Sequence, residues 1–289
     1  MLHNSKLKKN IFGTLYVVAT PIGNINDISY RAIDILSKVD LIAAEDTRHS
    51  RKILTNFGIN TKVISYHKYN EYEKCDQILD LIIKGKNIAL ISDAGTPGIS
   101  DPGDIIVSKA HKKNINVSPI PGASSVISAL SVSGFASKDF KFTGFLPKKQ
   151  NQKIEFLKKN INKNYSLVFF ESPKRVIKTL EDLKNIYNGK EIIITREITK
   201  IYEDIGIDSI DNWIDLYRNN QEKIKGEFVF IIPRIEQKKN TLSDNEIEDF
   251  LQLLLQNSIS YKSAVQITSK YFDLNKNKIY KKHMYLAKD

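Results

Sequence analysis

Cysteine is almost missing from this chain, since Cys75 is the only one in 289 residues. One thiol excludes an intrachain disulfide framework and a thiolate metal cluster. Such cysteine usage is typical of a reducing compartment, so we expect a cytoplasmic protein. The histidines show no short ligand spacing, and no metal site is predicted; they are His3, His49, His67, His111 and His283.

Long apolar runs are also missing. The first apolar stretch, "IFGTLYVVAT", is interrupted by Gly13, and no small-residue cleavage site follows it. No run approaches the roughly 20 residues that a helix needs to cross a bilayer. We therefore expect a soluble protein without a membrane partner.

Acidic residues are scarce relative to basic ones. The chain has 44 Lys and Arg against 33 Asp and Glu, which gives a net charge of +11. This excess favours a polyanionic partner such as RNA, DNA or an acidic membrane surface. A solvated, lysine-rich surface explains the same excess without any partner, so charge alone leaves the choice open.

Alternating strand and helix patterns predict an α/β fold. In residues 11–122, short apolar segments such as "LYVVAT" and "IALISD" alternate with helical spacing, which predicts a parallel sheet covered on both faces. Residues 123–236 predict a second α/β domain with a mixed sheet. Residues 241–289 predict a small helical appendage, a helix-turn-helix or a packing hairpin, with Ser243 and Glu246 as a capping box.

The segment "LISDAGTPGISDPG", residues 90–103, follows one of the predicted strands. Its glycines permit tight turns and its prolines stiffen the backbone. It lacks the Walker lysine and the glycine spacing of a dinucleotide fingerprint. Asp93 and Asp101 suit a ligand with hydroxyls, an amine or positive charge, although the same aspartates also occur as caps in ordinary strand-to-helix turns.

Several loop motifs occur in a fixed order along the chain. They are "YVVATPIGNINDISYRA", "AEDTR", "YHKYN", "LISDAGTPGISDPG", "PIPGASS", "FTGFLPKK", "FFESPKRV" and "TREITKIYED". The set closely resembles the tetrapyrrole methylase superfamily over about residues 13–233. Within it, the set resembles the branch that methylates a cytidine ribose 2′-hydroxyl in 16S ribosomal RNA. Lys68 and Lys174 depart from that branch, whose members often carry an acidic residue and a histidine there.

The resemblance implies S-adenosylmethionine held in a cleft between the two α/β domains. The implied cofactor-binding residues are Ile22, Asp93, Ala94, Gly95, Thr96, Pro97, Ser124, Ser125, Val126, Phe169, Phe170, Arg196 and Glu227. Because side chains alternate along a strand, one of Phe169 and Phe170 should face the adenine and the other the core.

A ribose hydroxyl needs a proton acceptor when it attacks a methyl group. The candidates are Glu45, Asp46, Asp101 and Glu171. Each has a structural alternative. Glu45 or Asp46 would cap a helix or pair with Arg48, Asp101 would be a turn residue, and Glu171 would pair with Arg175.

The implied macromolecular partners are 16S ribosomal RNA within the small ribosomal subunit and a second copy in a homodimer. Candidate RNA contacts are Arg31, Arg48, Arg51, Lys52, Lys148, Lys149, Lys174 and Arg175, with Lys262, Lys270, Lys276, Lys278, Lys281 and Lys282 in the tail. Arg48 is favoured, because a guanidinium fits phosphate and base edges equally well. The alternatives are a methyltransferase of a tetrapyrrole-like small molecule and a non-catalytic RNA-binding assembly factor.

Overall fold

The computed structural model describes residues 12–135, 139–161, 163–187, 191–234, 244–272 and 274–287. The chain forms two compact units, Met1–Ile235 and Glu236–Asp289. The first unit contains both predicted α/β domains, and the second contains the predicted appendage. Ser243, half of the predicted capping box, lies outside the described residues.

The first sheet is parallel and has five strands within the described residues, in the order β3-β2-β4-β1-β5. Its strands are β1 (Thr14–Val18), β2 (Leu41–Ala44), β3 (Val63–Ser65), β4 (Ile88–Ile91) and β5 (Asn116–Ile120). The connecting helices are α1 (Tyr30–Lys38), α2 (Thr47–Asn56), α3 (Glu71–Ile83) and α4 (Asp104–Lys112), and α5 (Ser125–Val132) follows β5.

Short apolar strands place this sheet in the middle of its domain. Every residue of β2 and β4 is buried. Leu41 and Ala43 belong to the core under α3 and α4, whereas Ile42 and Ala44 belong to the core under α1 and α2. Since parallel strands end at the same edge, the polar loops that follow them gather there.

The second sheet is mixed, as the pattern predicted, and has the order β6-β7-β10-β8-β9. Its strands are β6 (Phe140–Phe145), β7 (Ser166–Glu171), β8 (Glu191–Arg196), β9 (Asp204–Ser209) and β10 (Phe228–Ile232). β6 runs parallel to β7, whereas β10 is antiparallel to both β7 and β8. The helices of this domain are α6 (Gln150–Asn160), α7 (Val176–Lys184) and α8 (Ile210–Asn219).

The two faces of the second sheet have different partners. One face carries Phe169 and Phe230 into a core under α6, α7 and α8. The other face packs Val168 and Val229 against Val126 of α5 and Ile22 of the first domain. The bridge predicted from Ser124 onward is therefore α5, which joins the halves through buried apolar side chains. We call this contact the junction core.

The second unit contains helices α9 (Asp244–Gln256), α10 (Tyr261–Tyr271) and α11 (Lys276–Lys282). Ile247, Leu251, Ala264, Val265 and Ile279 form its apolar core. The appendage is thus helical, as its pattern predicted. Among the helices of the described residues, none has the length and apolar character that crossing a membrane requires.

A buried ion pair joins α6 to α7. Lys153 Nζ lies 2.6 Å from Asp182 Oδ2, and the two side chains are 3% and 5% exposed. Gln150 Nε2 donates to Asp182 Oδ1 at 2.7 Å, and Lys178 Nζ lies 3.6 Å from the same oxygen. Removing one member leaves a buried charge without its main partner.

We predict that Lys153→Met lowers the free energy of unfolding by about 3 kcal/mol, since breaking a buried pair typically costs 3–5 kcal/mol and Gln150 and Lys178 still contact Asp182. Urea unfolding measures the change. The double variant Lys153→Met, Asp182→Leu should recover most of the loss. A single variant as stable as the wild type would contradict the role given to this pair.

Candidate functional site

A cavity of about 400 Å³ opens at the carboxyl edge of the first sheet and extends to the second. The loops after β1, β2 and β4 of the first domain contribute to it, as do the start of α5, the ends of β6 and β7 and the start of β10. The lining residues are Ile22, Glu45, Asp93, Ala94, Gly95, Thr96, Ile99, Ser100, Asp101, Ser124, Ser125, Val126, Phe145, Phe170, Glu171, Ser172, Pro173, Gly226, Glu227, Phe228 and Val229.

The β4 loop is fixed to the β1 loop by two backbone hydrogen bonds, which we call the Thr20–Gly95 clasp. Thr20 N donates to Gly95 O at 2.8 Å, and Gly95 N donates to Thr20 O at 3.1 Å. Gly95 has a φ of +81°, and a Cβ there would lie 3.5 Å from Ile22 Cγ2. A side chain at Gly95 would thus be strained by its backbone conformation, although its Cβ would make only an ordinary contact. The clasp holds the loop still around an open space.

Phe170 forms an aromatic wall of the cavity. Its ring contacts Phe142 and Phe145 edge-on, with centroids 4.9 Å and 5.6 Å away. Phe169 is fully buried and stacks on Phe230 at 5.2 Å, on the opposite face of the sheet. The alternation along β7 therefore assigns Phe170 to the cavity and Phe169 to the core.

Two of the four candidate bases, Asp46 and Glu171, have structural roles. Asp46 is the N-cap of α2 and accepts hydrogen bonds from the backbone N–H of Arg48 and His49. These hydrogen bonds lower the pKa of Asp46.

Glu171 has a side chain with no exposed surface, and it is fully engaged. It pairs with Arg175 Nε at 3.1 Å and accepts from Thr179 Oγ1 at 2.7 Å and from Ser172 N at 2.8 Å. Glu171 lies two residues after Phe169, so both side chains are on the same face of the sheet. The carboxylate of Glu171 therefore points under α7, although the residue borders the cavity.

Asp101 and Glu45 are the candidates whose environment suits proton transfer. Burial raises the pKa of Asp101 to about 6, and the nearby charges of Glu45, Asp93 and Glu227 add to the rise, opposed by a hydrogen bond with Ser92. Burial, with the charge of Asp93 next in size, also raises the pKa of Glu45. A carboxyl with a pKa near 6 can both lose and accept a proton close to neutral pH.

Most cofactor residues implied by the resemblance lie together at this cavity. Pro97, Phe169 and Arg196 are not among its lining residues. Arg196 lies two positions beyond Ile194, which belongs to the core under the helices, so its side chain starts on that face of the sheet. Sequence reasoning did not single out Ile99 and Phe145, whose motifs "PGISDP" and "FTGFLP" were the available signal.

The candidate RNA contacts fall into two classes. Exposed ones are Arg31, Arg48, Arg51, Lys52, Lys148, Lys149 and Lys174. Arg175 belongs to the structure instead: it pairs with Glu171, and its guanidinium donates to Leu146 O at 3.1 Å and Pro147 O at 3.2 Å. It thereby fixes the loop between β6 and α6. In the described part of the chain, no three His, Cys, Asp or Glu side chains converge as metal ligands do.

Comparison with known proteins gives one consistent family. Residues 14–212 match the family described as Tetrapyrrole (Corrin/Porphyrin) Methylases. A relative in Buchnera aphidicola subsp. Acyrthosiphon pisum is 38% identical over 93% of this chain and 95% of its own length. One in Pasteurella multocida is 39% identical over 94% and 96%, and one in Halalkalibacterium halodurans is 44% identical over 76% and 75%. All three are named ribosomal RNA small subunit methyltransferase I.

Solved structures agree on the fold. A cobalt precorrin-4 methyltransferase of cobalamin biosynthesis aligns with a TM-score of 0.56 at 16% identity, over 78% of this chain and 98% of its own. Diphthine synthase aligns with a TM-score of 0.57 at 14% identity, over 77% and 90%. The fold class and the family expected from the ordered loops are thus confirmed. The chain belongs to the tetrapyrrole methylase family, in the group of relatives that carry the name ribosomal RNA small subunit methyltransferase I.

Proposed function

We propose that the protein is an S-adenosylmethionine-dependent methyltransferase that modifies the ribose 2′-hydroxyl of a cytidine in 16S ribosomal RNA of the small subunit. The name shared by relatives along nearly the whole chain supports a ribosomal RNA substrate. The observation that carries the proposal is the cavity itself. A fixed, carboxylate-bearing loop faces an aromatic wall there, and the exposed Arg48, Arg51 and Lys52 lie on α2.

The residues of the cavity fit the proposed methyl donor. The cavity volume of about 400 Å³ falls in the range of small-molecule sites, about 300–1,000 Å³. Phe170, Ile22 and Val126 offer apolar surface to an adenosine, whereas Asp93 offers negative charge to its hydroxyls or to a positively charged group, beside Glu227, whose Oε2 lies 3.1 Å from Lys200 Nζ. A Cβ at Gly95 would make an ordinary contact with Ile22, but the φ of +81° favours glycine there.

When bound, S-adenosylmethionine supplies an electrophilic methyl group on a positively charged sulfur. The protein's own contribution is mainly positioning. Holding a nucleophile in line at contact distance is worth about 7–11 kcal/mol of the barrier, and it requires walls that do not move. The Thr20–Gly95 clasp and the junction core provide such walls.

Asp101 is the residue we assign to accept the proton of the ribose hydroxyl. It lines the cavity, and its raised pKa matches a base that works near neutral pH. Glu45 is the second candidate at the same edge. Asp46 caps α2 and is not among the lining residues of the cavity, and Glu171 is held by Arg175 and Thr179.

The decisive experiment is transfer of tritium from labelled S-adenosylmethionine to isolated small ribosomal subunits, followed by mapping of the modified ribose. We expect label on one cytidine 2′-oxygen. Label on a tetrapyrrole-like compound and none on RNA would favour the small-molecule alternative. Donor binding without transfer to RNA would favour the assembly factor. Separately, the molar mass from light scattering of the same sample tests the proposed homodimer.

We predict that Asp101→Asn lowers the methyl-transfer rate about 100-fold, the lower end for loss of a general base. The wild-type rate should fall as the pH drops below about 6, where Asp101 gains its proton.

The raised pKa of Asp101 also means that folding favours the protonated form of this carboxyl. Stability present at low pH is then lost as the pH rises through 6. The variant should therefore melt at an equal or higher temperature at pH 8.

Asp104→Asn is the matched control, since it removes the same charge from the exposed first turn of α4. It should leave the rate and its pH profile unchanged. Full activity of Asp101→Asn with an unaltered profile would rule out Asp101 as the base, and Glu45→Gln would then be compared.

We predict that Thr96→Arg weakens donor binding at least tenfold, because Thr96 lines the cavity and the longer side chain would take up space that the donor needs. Isothermal titration calorimetry with S-adenosylmethionine measures the affinity in the absence of RNA. Thr55→Arg adds the same side chain to the exposed end of α2 and should bind the donor normally. Equal affinity of both variants would place the donor elsewhere.

A further inference from the structure

The loop between β3 and α3 presents an aromatic ring to solvent on a fixed backbone. Tyr69 is 95% exposed. His67 N donates to Asn70 Oδ1 at 2.8 Å, and Tyr69 N donates to His67 Nδ1 at 3.2 Å. Asn70 Nδ2 in turn donates to Ser65 O at 3.3 Å. The backbone around Tyr69 is therefore held while its side chain stays exposed.

This loop lies next to the cavity. Tyr66 N donates to Ala44 O at 2.7 Å, so the chain leaving β3 stays beside the chain leaving β2. His67 follows Tyr66, and Glu45, which lines the cavity, follows Ala44. Burial raises the pKa of Glu45, and His67 is close enough to oppose part of that rise. The ring of His67 also meets the ring of Tyr69 edge-on, with centroids 6.0 Å apart.

Exposed cations surround the same edge. The side chain of Arg48 is 90% exposed in the first turn of α2, and Lys68 is the residue before Tyr69. Of the nearby acids, Asp46 caps α2 with Oδ1 while its Oδ2 lies 3.6 Å from the Arg48 guanidinium, Glu71 is buried, and Glu73 is exposed in the first turn of α3. Exposed rings beside cations are how proteins hold unpaired nucleotides, with bases stacked on the ring and phosphates paired with the cations.

Resting on the function proposed above, we propose that Tyr69 stacks on an unpaired base next to the methylated nucleotide, while Arg48 and Lys68 bind the flanking phosphates. The surface formed by Arg48, Lys68 and Tyr69 thus fits a single-stranded RNA segment that enters the cavity beside Glu45. A duplex is excluded as the ligand of this ring, because its bases are already stacked on one another.

The test compares Tyr69→Ala, Tyr69→Phe and Tyr72→Ala in methyl transfer to small subunits and in donor binding. Tyr72 is the matched control. It is 72% exposed in the first turn of α3, and its hydroxyl lies toward Lys109 of α4, on the sheet face opposite α2. We expect Tyr69→Ala to raise the KM for RNA about tenfold, as loss of one stacked base does, with donor affinity and kcat at saturating RNA unchanged. Tyr69→Phe and Tyr72→Ala should match the wild type.

Each other result has a distinct meaning. An unchanged KM in Tyr69→Ala, in a protein that still methylates RNA, overturns the stacking role and leaves the proposed function intact. Equal increases of the KM for RNA in Tyr69→Ala and Tyr72→Ala place the RNA elsewhere. A changed molar mass of the Tyr69→Ala protein with an unchanged KM assigns the ring to a contact between copies of the chain. No transfer to RNA by the wild type refutes the proposed function itself.

Discussion

The junction core is the contact on which the site depends. The cavity has one wall from each sheet, so its dimensions are only as fixed as the packing that holds the sheets together. Val126 and Ala129 of α5 and Ile22 of the first domain supply that packing against Val168 and Val229. Ile22 and Val126 also line the cavity, so the same apolar side chains that join the domains shape the site. A loosened junction would change site geometry before it unfolded either sheet.

The alternation of side chains along β7 divides the residues at its end between the cavity and the core under the helices. Side chains on one face of the second sheet reach the cavity, and those on the other face are covered by helices. Phe170 falls on the cavity side, whereas Glu171 falls on the helix side, where Arg175 and Thr179 complete its hydrogen bonds. Arg175 then fixes the carbonyl groups of Leu146 and Pro147. Motif membership alone therefore does not make Glu171 a proton acceptor.

Much of this arrangement could be predicted from the sequence, because the apolar strands and the polar segments after them are local signals. The loop with Asp93 and Asp101, the bridge beginning at Ser124 and the helical tail all lie where their patterns indicated. The sequence left the choice between Phe169 and Phe170 open, and it grouped Arg196 with the cavity. Both points depend on which face of the sheet each residue occupies, and that is set by tertiary packing. Likewise, the distinction between Asp101 and Glu171 depends on partners contributed by distant elements.

Charge of opposite sign separates the inside of the site from its surroundings. Glu45, Asp93 and Asp101 line the cavity, with Glu227 paired to Lys200 at its edge, whereas Arg48, Arg51 and Lys52 are exposed on α2. A negative cavity suits a cationic methyl donor and disfavours phosphate, since like charges held in a partly desolvated space repel one another strongly. Under the proposed function, an RNA strand must therefore keep its phosphates on the basic exterior and admit only a ribose and its hydroxyl. Asp101 then meets a neutral group from which it can remove a proton, and the burial that chiefly raises its pKa, with the added repulsion of the nearby carboxylates, makes it a stronger base.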